Sequence, residues 1–370
     1  MADNSKPYWS CREDNFWPNA LDLCKMMIEI FGCIANLTVT VLLFLLRGKK
    51  YEGLTLLRVL SLSCLIAAVI SFIYEIVEPI KKTGNVFFDG MICIFWSTRF
   101  VFWYSKAHVY YSLFSFAFYR AAEMLQLQNY LIIPAKKRLI GYVLMVSICS
   151  FLSTAPRLLL AQPHLENCAC APPIKTLWIL TMSYTHAFLW VALLAVIYPA
   201  ILVYICIALF LKLRRTEGSK LVDDLDQLFF PEERESSSIT GAISVPSQVH
   251  PDVCDGTILR AAAPKRVEDV FKPHVWSASF CIIPLTAAYI ATFTYDATYH
   301  FLGAVGYLSY ALYGSAHKFG ELLLVLFFAL VPMIIFFHIP ALRSLIFVSI
   351  AFIQKRGRKV RLMDVGAQPS

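Results

Sequence analysis

The chain has 370 residues, of which 58% are hydrophobic and only 16% charged, with 33 basic residues against 25 acidic ones. A water-facing surface needs far more charge than this, so an ordinary soluble domain is excluded, and so is global disorder. A mean hydropathy of +0.62 points to a chain whose solvent is the lipid bilayer.

The first twenty residues, MADNSKPYWSCREDNFWPNA, are polar and aromatic. They do not read as a cleavable signal peptide, and residues 1–25 are expected to form an extracellular tail. Apolar stretches long enough to cross about 30 Å of hydrocarbon follow at 26–46, 54–77, 91–119, 139–160, 177–211, 274–295 and 319–339. None has the alternating ten-residue strands of a barrel. The expected fold is therefore an all-α membrane protein, a seven-transmembrane helix bundle. Helices one to five occupy 26–215 and helices six and seven occupy 273–340. The apolar segment His300 to Gly314 is too short to span and reads as a long outer loop or an interfacial or re-entrant piece before span seven.

Basic residues set the orientation. Arg47, Lys49 and Lys50 follow span one, and Lys136, Lys137 and Arg138 follow span three. Lys212, Arg214 and Arg215 end span five, and Lys355, Arg356, Arg358, Lys359 and Arg361 lie in the tail. The expected topology is N-terminus outside and C-terminus inside, in the plasma membrane. The net charge of +8 is thus a topology signal and does not point to nucleic acid. The loop 216–272, with its acidic run and Ser236, Ser237, Ser238 and Thr240, is expected to be disordered and open to phosphorylation. Residues 341–370 read as a short interfacial helix with a basic tail.

Of eleven cysteines, Cys93 opens span three on the expected outer side, and Cys168 and Cys170 lie in the loop between spans four and five. An oxidising exterior predicts a bridge from Cys93 to Cys168 or Cys170. No metal-ligand set, phosphate loop or HExxH motif occurs. No nucleophile has a plausible base, so no catalytic site and no cofactor are expected.

Polar residues within a bilayer tend to face the bundle interior. Asn36 sits in GCIANLTV, span two carries LSLSC ending at Cys64, and span three ends SFAFYRAAEM around Arg120. Span five has Pro199, span six CIIP ending at Pro284, and span seven Pro332. In order and spacing these resemble the rhodopsin-like (class A) G-protein-coupled receptors. Asn36 and Val39 match Asn-x-x-Val, and LSLSC matches Leu-Ala-x-Ala-Asp 28 residues on. FYRAA lies on the Asp-Arg-Tyr region, CIIP on Cys-Trp-x-Pro, and Val331-Pro332 on Asn-Pro-x-x-Tyr. The departures are many. Cys64 replaces the aspartate, Tyr119 the acid before Arg120, Ile282 the tryptophan, and Val331 and Ile335 the Asn and Tyr. Cys93 also lies 27 residues before Arg120, about two more than that family shows.

The resemblance implies a receptor that passes an extracellular signal to a heterotrimeric G protein. Arg120 and Tyr119 would form its switch with Pro284 and Pro332, and Glu123 or Glu268 would be the arginine's partner. Ligand-pocket candidates are Phe102, Trp103, Lys106, His186 and Ile282. Lys106 lies within the membrane region and calls for a partner, Glu75 or Glu78 among them, or an acidic ligand. Phe100 or Phe102 stands where amine receptors carry aspartate, and Val325 where visual pigments attach retinal, so the unknown ligand is neither a monoamine nor retinal. The alternatives are a multi-pass transporter or channel, or a seven-helix membrane protein without G-protein coupling.

Overall fold

A computed structural model describes residues 9–11, 20–48, 52–77, 85–124, 134–163, 168–170, 177–215, 225, 228, 278–308, 310–312 and 314–345. The long elements are α1 (Ala20–Leu45), α2 (Glu52–Ile76), α3 (Val86–Ile92), α4 (Phe100–Met124) and α5 (Ala135–Thr154). They continue with α6 (Leu177–Trp190), α7 (Tyr198–Arg215), α8 (Ile282–Ala304) and α9 (Ser315–His338). A π-helical stretch, Val191–Ile197, joins α6 to α7 without a break.

The helices are packed inside out relative to a water-soluble protein. Along α1 the buried residues are Asp22, Lys25, Glu29, Gly32, Asn36, Val39, Thr40 and Leu43, a helical period whose members are largely polar. The opposite face exposes Leu23, Met27, Ile30, Ile34, Leu37, Val41 and Phe44. In water that arrangement would be reversed; hydrocarbon around the bundle is what makes it stable. Six helices are long and apolar enough to cross a membrane. The chain is thus a multi-pass helical membrane protein. Outside those six are the short α3 and the long α4, whose 25 residues include Lys106, Arg120 and Glu123 and which is buried along most of its length.

Two expectations are corrected. Residues 91–119 are not one continuous helix. After α3 comes a π turn, Cys93–Ser97, then a bend at Thr98 and Arg99 before α4 begins. Arg99 has φ +52°, a left-handed backbone that costs a side-chain-bearing residue about 1–2 kcal/mol. A π turn accommodates an extra residue. Span six runs beyond 295, because α8 continues to Ala304 and takes up the start of the His300–Gly314 segment. That segment then turns at Gly306, with φ +86°, and enters β4 (Tyr310–Leu312), so it crosses nothing. Within the loop 216–272 the described residues are Leu225 and Leu228, both buried in the hydrophobic core. Glu268, the phosphorylatable serines and the tail beyond 345 lie outside the described residues.

Two short strand pairs cap the fold. β1 (Trp9–Cys11) runs parallel to β4, with Ser10 opposite Ala311. β2 (Ala161–Pro163) and β3 (Cys168–Cys170) form an antiparallel pair in which Ala161 faces Cys170 and Pro163 faces Cys168. This pair packs beside the π turn that begins at Cys93.

Prolines explain two contacts between helices. A proline inside a helix has no N–H and crowds the carbonyl four residues back. Pro332 does this to Phe328 in α9, and the Phe328 carbonyl accepts instead from Asn36 Nδ2 at 2.9 Å. In the π-helical stretch the register is five residues, shown by the Tyr198 N–H bonding the Leu193 carbonyl. The next residue in that register is Pro199, which leaves the Leu194 carbonyl without a donor. The Tyr289 hydroxyl of α8 donates to it. Where no water can compensate, such orphaned carbonyls must find a side chain.

Candidate functional site

Buried charge gathers at two levels of α4. At one level stands Arg120, fully buried. Its Nη1 pairs with Glu123 Oε2 at 2.5 Å, while its Nε and Nη2 donate to Ser279 Oγ at 3.0 and 2.5 Å. Ser279 belongs to the 3-10 turn Ala278–Cys281 that leads into α8, so the arginine ties α4 to the start of α8. Of the two acids expected as its partner, Glu123 is in contact. Tyr119 is buried and meets Tyr142 of α5 edge-on, with ring centroids 6.5 Å apart.

The second level lies 14 residues earlier on α4, about 21 Å along the axis. Here Lys25 of α1 binds Glu75 of α2 and, at 2.9 Å, Glu321 Oε2 of α9. Arg99 holds the other Glu321 oxygen at 2.5 Å, and His317 Nδ1 lies 3.8 Å from that same oxygen. Glu29 accepts from the Ser71 hydroxyl, and Lys318 reaches Asp22 at 3.0 Å. These contacts join the ends of α1, α2, α4 and α9. Breaking a buried pair of this kind by removing one member typically costs about 3–5 kcal/mol.

Lys106 stands apart from this network. Of its expected partners, Glu75 is occupied by Lys25, and Glu78 lies outside the described residues. Its ammonium rests 3.5 Å from the Phe102 ring centroid and 4.9 Å from that of Trp103. The Arg157 guanidinium also sits on Trp103, at 3.6 Å, and bonds His300 Nε2 at 2.9 Å. Aromatic faces thus hold two cations in place of carboxylates, an attraction worth about 2 kcal/mol when desolvated. Asp296 of α8 is the remaining acid of this level and is fully buried.

Between the two levels lies an aromatic layer. Tyr110 meets Tyr289 at 5.1 Å, Phe293 at 5.0 Å and Phe327 at 5.8 Å, drawing α4, α8 and α9 together. Trp190 joins it from α6, 6.2 Å from Phe293 and 6.1 Å from Trp103.

The predicted pocket residues are only partly brought together. Phe102, Trp103 and Lys106 touch, and His186 connects to them through Trp190, 5.6 Å away. Ile282 does not belong with them. It is the first residue of α8, three positions from Ser279, so it and Pro284 lie at the Arg120 level. CIIP is therefore a helix start, where proline is tolerated, and does not occupy the middle of a span. Asn36 and Cys64 are both fully buried.

Sequence reasoning passed over Lys25, Glu29, Asp296, Glu321 and Arg157. The signal was present: each is an isolated charge within or beside an apolar stretch, the pattern that picked out Lys106. Lys25 falls one residue before the boundary drawn for span one and Asp296 one residue beyond that for span six.

Cys93 is disulfide-bonded. Strand β3, which carries Cys168 and Cys170, neighbours it, and the side chains of those two lie outside the described set. Among the described residues no cluster of His, Cys, Asp and Glu has the arrangement of a metal site.

The fold and this charge distribution define a multi-pass membrane protein with a polar interior. Comparison with protein-family models and with curated proteins finds no match to the chain.

Proposed function

We propose that the chain is a cell-surface seven-helix receptor, with α4 as its seventh span and the N-terminus outside. A ligand acts at the Lys106 level, and rearrangement of the helices is read by a heterotrimeric G protein at the Arg120 level. The observation that carries this reading is α4 itself. It carries the buried Arg120–Glu123 pair at one level and the buried Lys106 at the other, just past Arg99 and its partner Glu321, with a layer of packed rings between them. Arg120 holds α4 to the start of α8 through Ser279, so a shift of α8 would release a guanidinium at the inner surface. The motif resemblance supports the same assignment. The bridge of Cys93 to Cys168 or Cys170 would fasten the outer loop over the ligand side.

Guanine-nucleotide exchange on purified G proteins, with the receptor in nanodiscs, tests this. Wild type is expected to raise basal exchange for at least one Gα class, and Arg120→Ala is expected to change that rate several-fold. No exchange with any class would overturn the proposal. The Lys25–Glu75–Glu321–Arg99 network favours a second reading, since transporters build their routes from paired intramembrane charges. That reading requires solute flux into proteoliposomes, lost in Glu321→Gln.

A further inference from the structure

The charges at the Lys106 level do not all cancel by contact. Lys25 and Arg99 share Glu321 and Glu75, Glu29 accepts from Ser71, and Arg157 is held by Trp103 and His300. Two groups remain. Both carboxylate oxygens of Asp296 and the Nζ of Lys106 are buried without a hydrogen-bond partner among the described residues.

The two groups also stand near one another. Lys106 lies one helical turn from Tyr110 on α4, and Asp296 lies three residues from Phe293 on α8. Tyr110 and Phe293 are in edge-to-face contact at 5.0 Å, so the ammonium and the carboxylate stand on facing sides of adjacent helices, above the aromatic layer. Two opposite charges so placed would be expected to collapse into a salt bridge. No hydrogen bond joins them among the described residues. The ammonium is drawn onto the Phe102 face, and the carboxylate lies against Gly320, where a Cβ would come within 3.0 Å of Oδ1. An unpaired charge away from water is among the most costly features a fold can keep.

We infer that Lys106 and Asp296 are the two poles of a site for a small zwitterion, a molecule with a free carboxylate and a free ammonium, as in amino acids. The ligand carboxylate meets the Lys106 ammonium, and its ammonium meets the Asp296 carboxylate. The rings of Phe102 and Trp103 flank the cationic pole. A lone anion would satisfy Lys106 and leave Asp296 buried and bare; a lone amine would do the reverse. Only a molecule with both charges satisfies both groups. This inference deepens the receptor reading by naming its ligand class, but the binding it requires is measurable without a G protein.

The test uses the full chain in detergent micelles with a panel of the standard L-amino acids and ω-amino acids of increasing length, each at millimolar concentration. Binding is read from the melting temperature. At least one panel member is expected to raise the melting temperature of wild type. Its affinity should fall at least about tenfold in Lys106→Met and in Asp296→Asn, the cost of cutting one arm of a buried charge pair. Lys106→Met should bind the decarboxylated amine as well as it binds the zwitterion. Should the single variants fold poorly, Lys106→Met/Asp296→Asn removes both bare charges, and it should fold yet bind no panel member. A panel without effect on wild type overturns the inference. So does a simple carboxylate that stabilises wild type and Asp296→Asn equally, which would mark an anion site. Zwitterion binding without nucleotide exchange would sink the receptor reading and leave this site standing.

Discussion

Glu321→Gln removes the charge at the centre of the Lys106-level network while keeping the shape of the side chain. In the native protein one carboxylate oxygen takes Lys25 at 2.9 Å and the other takes Arg99 at 2.5 Å. Losing one member of a buried pair costs about 3–5 kcal/mol, because the surviving partner is left charged and unsolvated. Two features place this case at the lower end. Lys25 keeps Glu75, and the Arg99 side chain is 20% exposed, which lets it turn toward water or headgroups. A loss of about 3 kcal/mol at about 2 °C per kcal/mol lowers the melting temperature by about 6 °C. Cys64 is a buried core thiol, so a thiol-reactive dye reads its exposure as the bundle opens once the exposed Cys24 has been blocked. Glu75→Gln should cost less, since it deprives Lys25 of one of two acids and leaves Arg99 untouched. A Glu321→Gln protein melting within a degree of wild type, or a Glu75→Gln protein melting below it, would refute the ranking of these contacts.

Gly320→Ala should destabilise by about 1–3 kcal/mol, as overpacking does, because its Cβ would stand 3.0 Å from Asp296 Oδ1 and 3.5 Å from Asp296 Cβ. Combining it with Asp296→Ala should recover part of that loss in the same melting assay; strictly additive effects would argue against the contact. Non-reducing peptide mapping of the intact protein should recover a peptide linking Cys93 to Cys168 or to Cys170 and no other. Replacing the true partner by serine should free Cys93 for alkylation, and replacing the other should leave it protected.

Much of the fold is legible from hydropathy and charge, because the bilayer imposes a length and a polarity on every span. Legibility fails where tertiary contact decides the outcome. The bend at Arg99 has no glycine or proline to announce it. The left-handed residue is an arginine, held in a structure where its side chain reaches Glu321. The continuation of α8 to Ala304 was obscured by Asp296 and His300, polar residues that end an apolar window but are fully or nearly buried in the bundle. The individual charges of the second level were readable, but their grouping was not, since Lys25, Glu75, Arg99 and Glu321 come from four distant parts of the chain. The reverse holds for Asn36 and Pro332. Each is conspicuous alone, and a proline's orphaned carbonyl gives a physical reason to look for an amide beside it.

The layer of Tyr110, Tyr289, Phe293 and Phe327 also keeps the two charged levels a long way apart. Across about 21 Å, at an effective dielectric constant of about 20, two unit charges interact by only about 0.8 kcal/mol. A charge arriving beside Lys106 is therefore scarcely felt at Arg120 through the field. Any message between the two levels has to travel as displaced rings. The Tyr289 hydroxyl is the place where such a displacement would be resisted, because it alone among these rings is anchored to the backbone of another helix, at Leu194, among the described contacts.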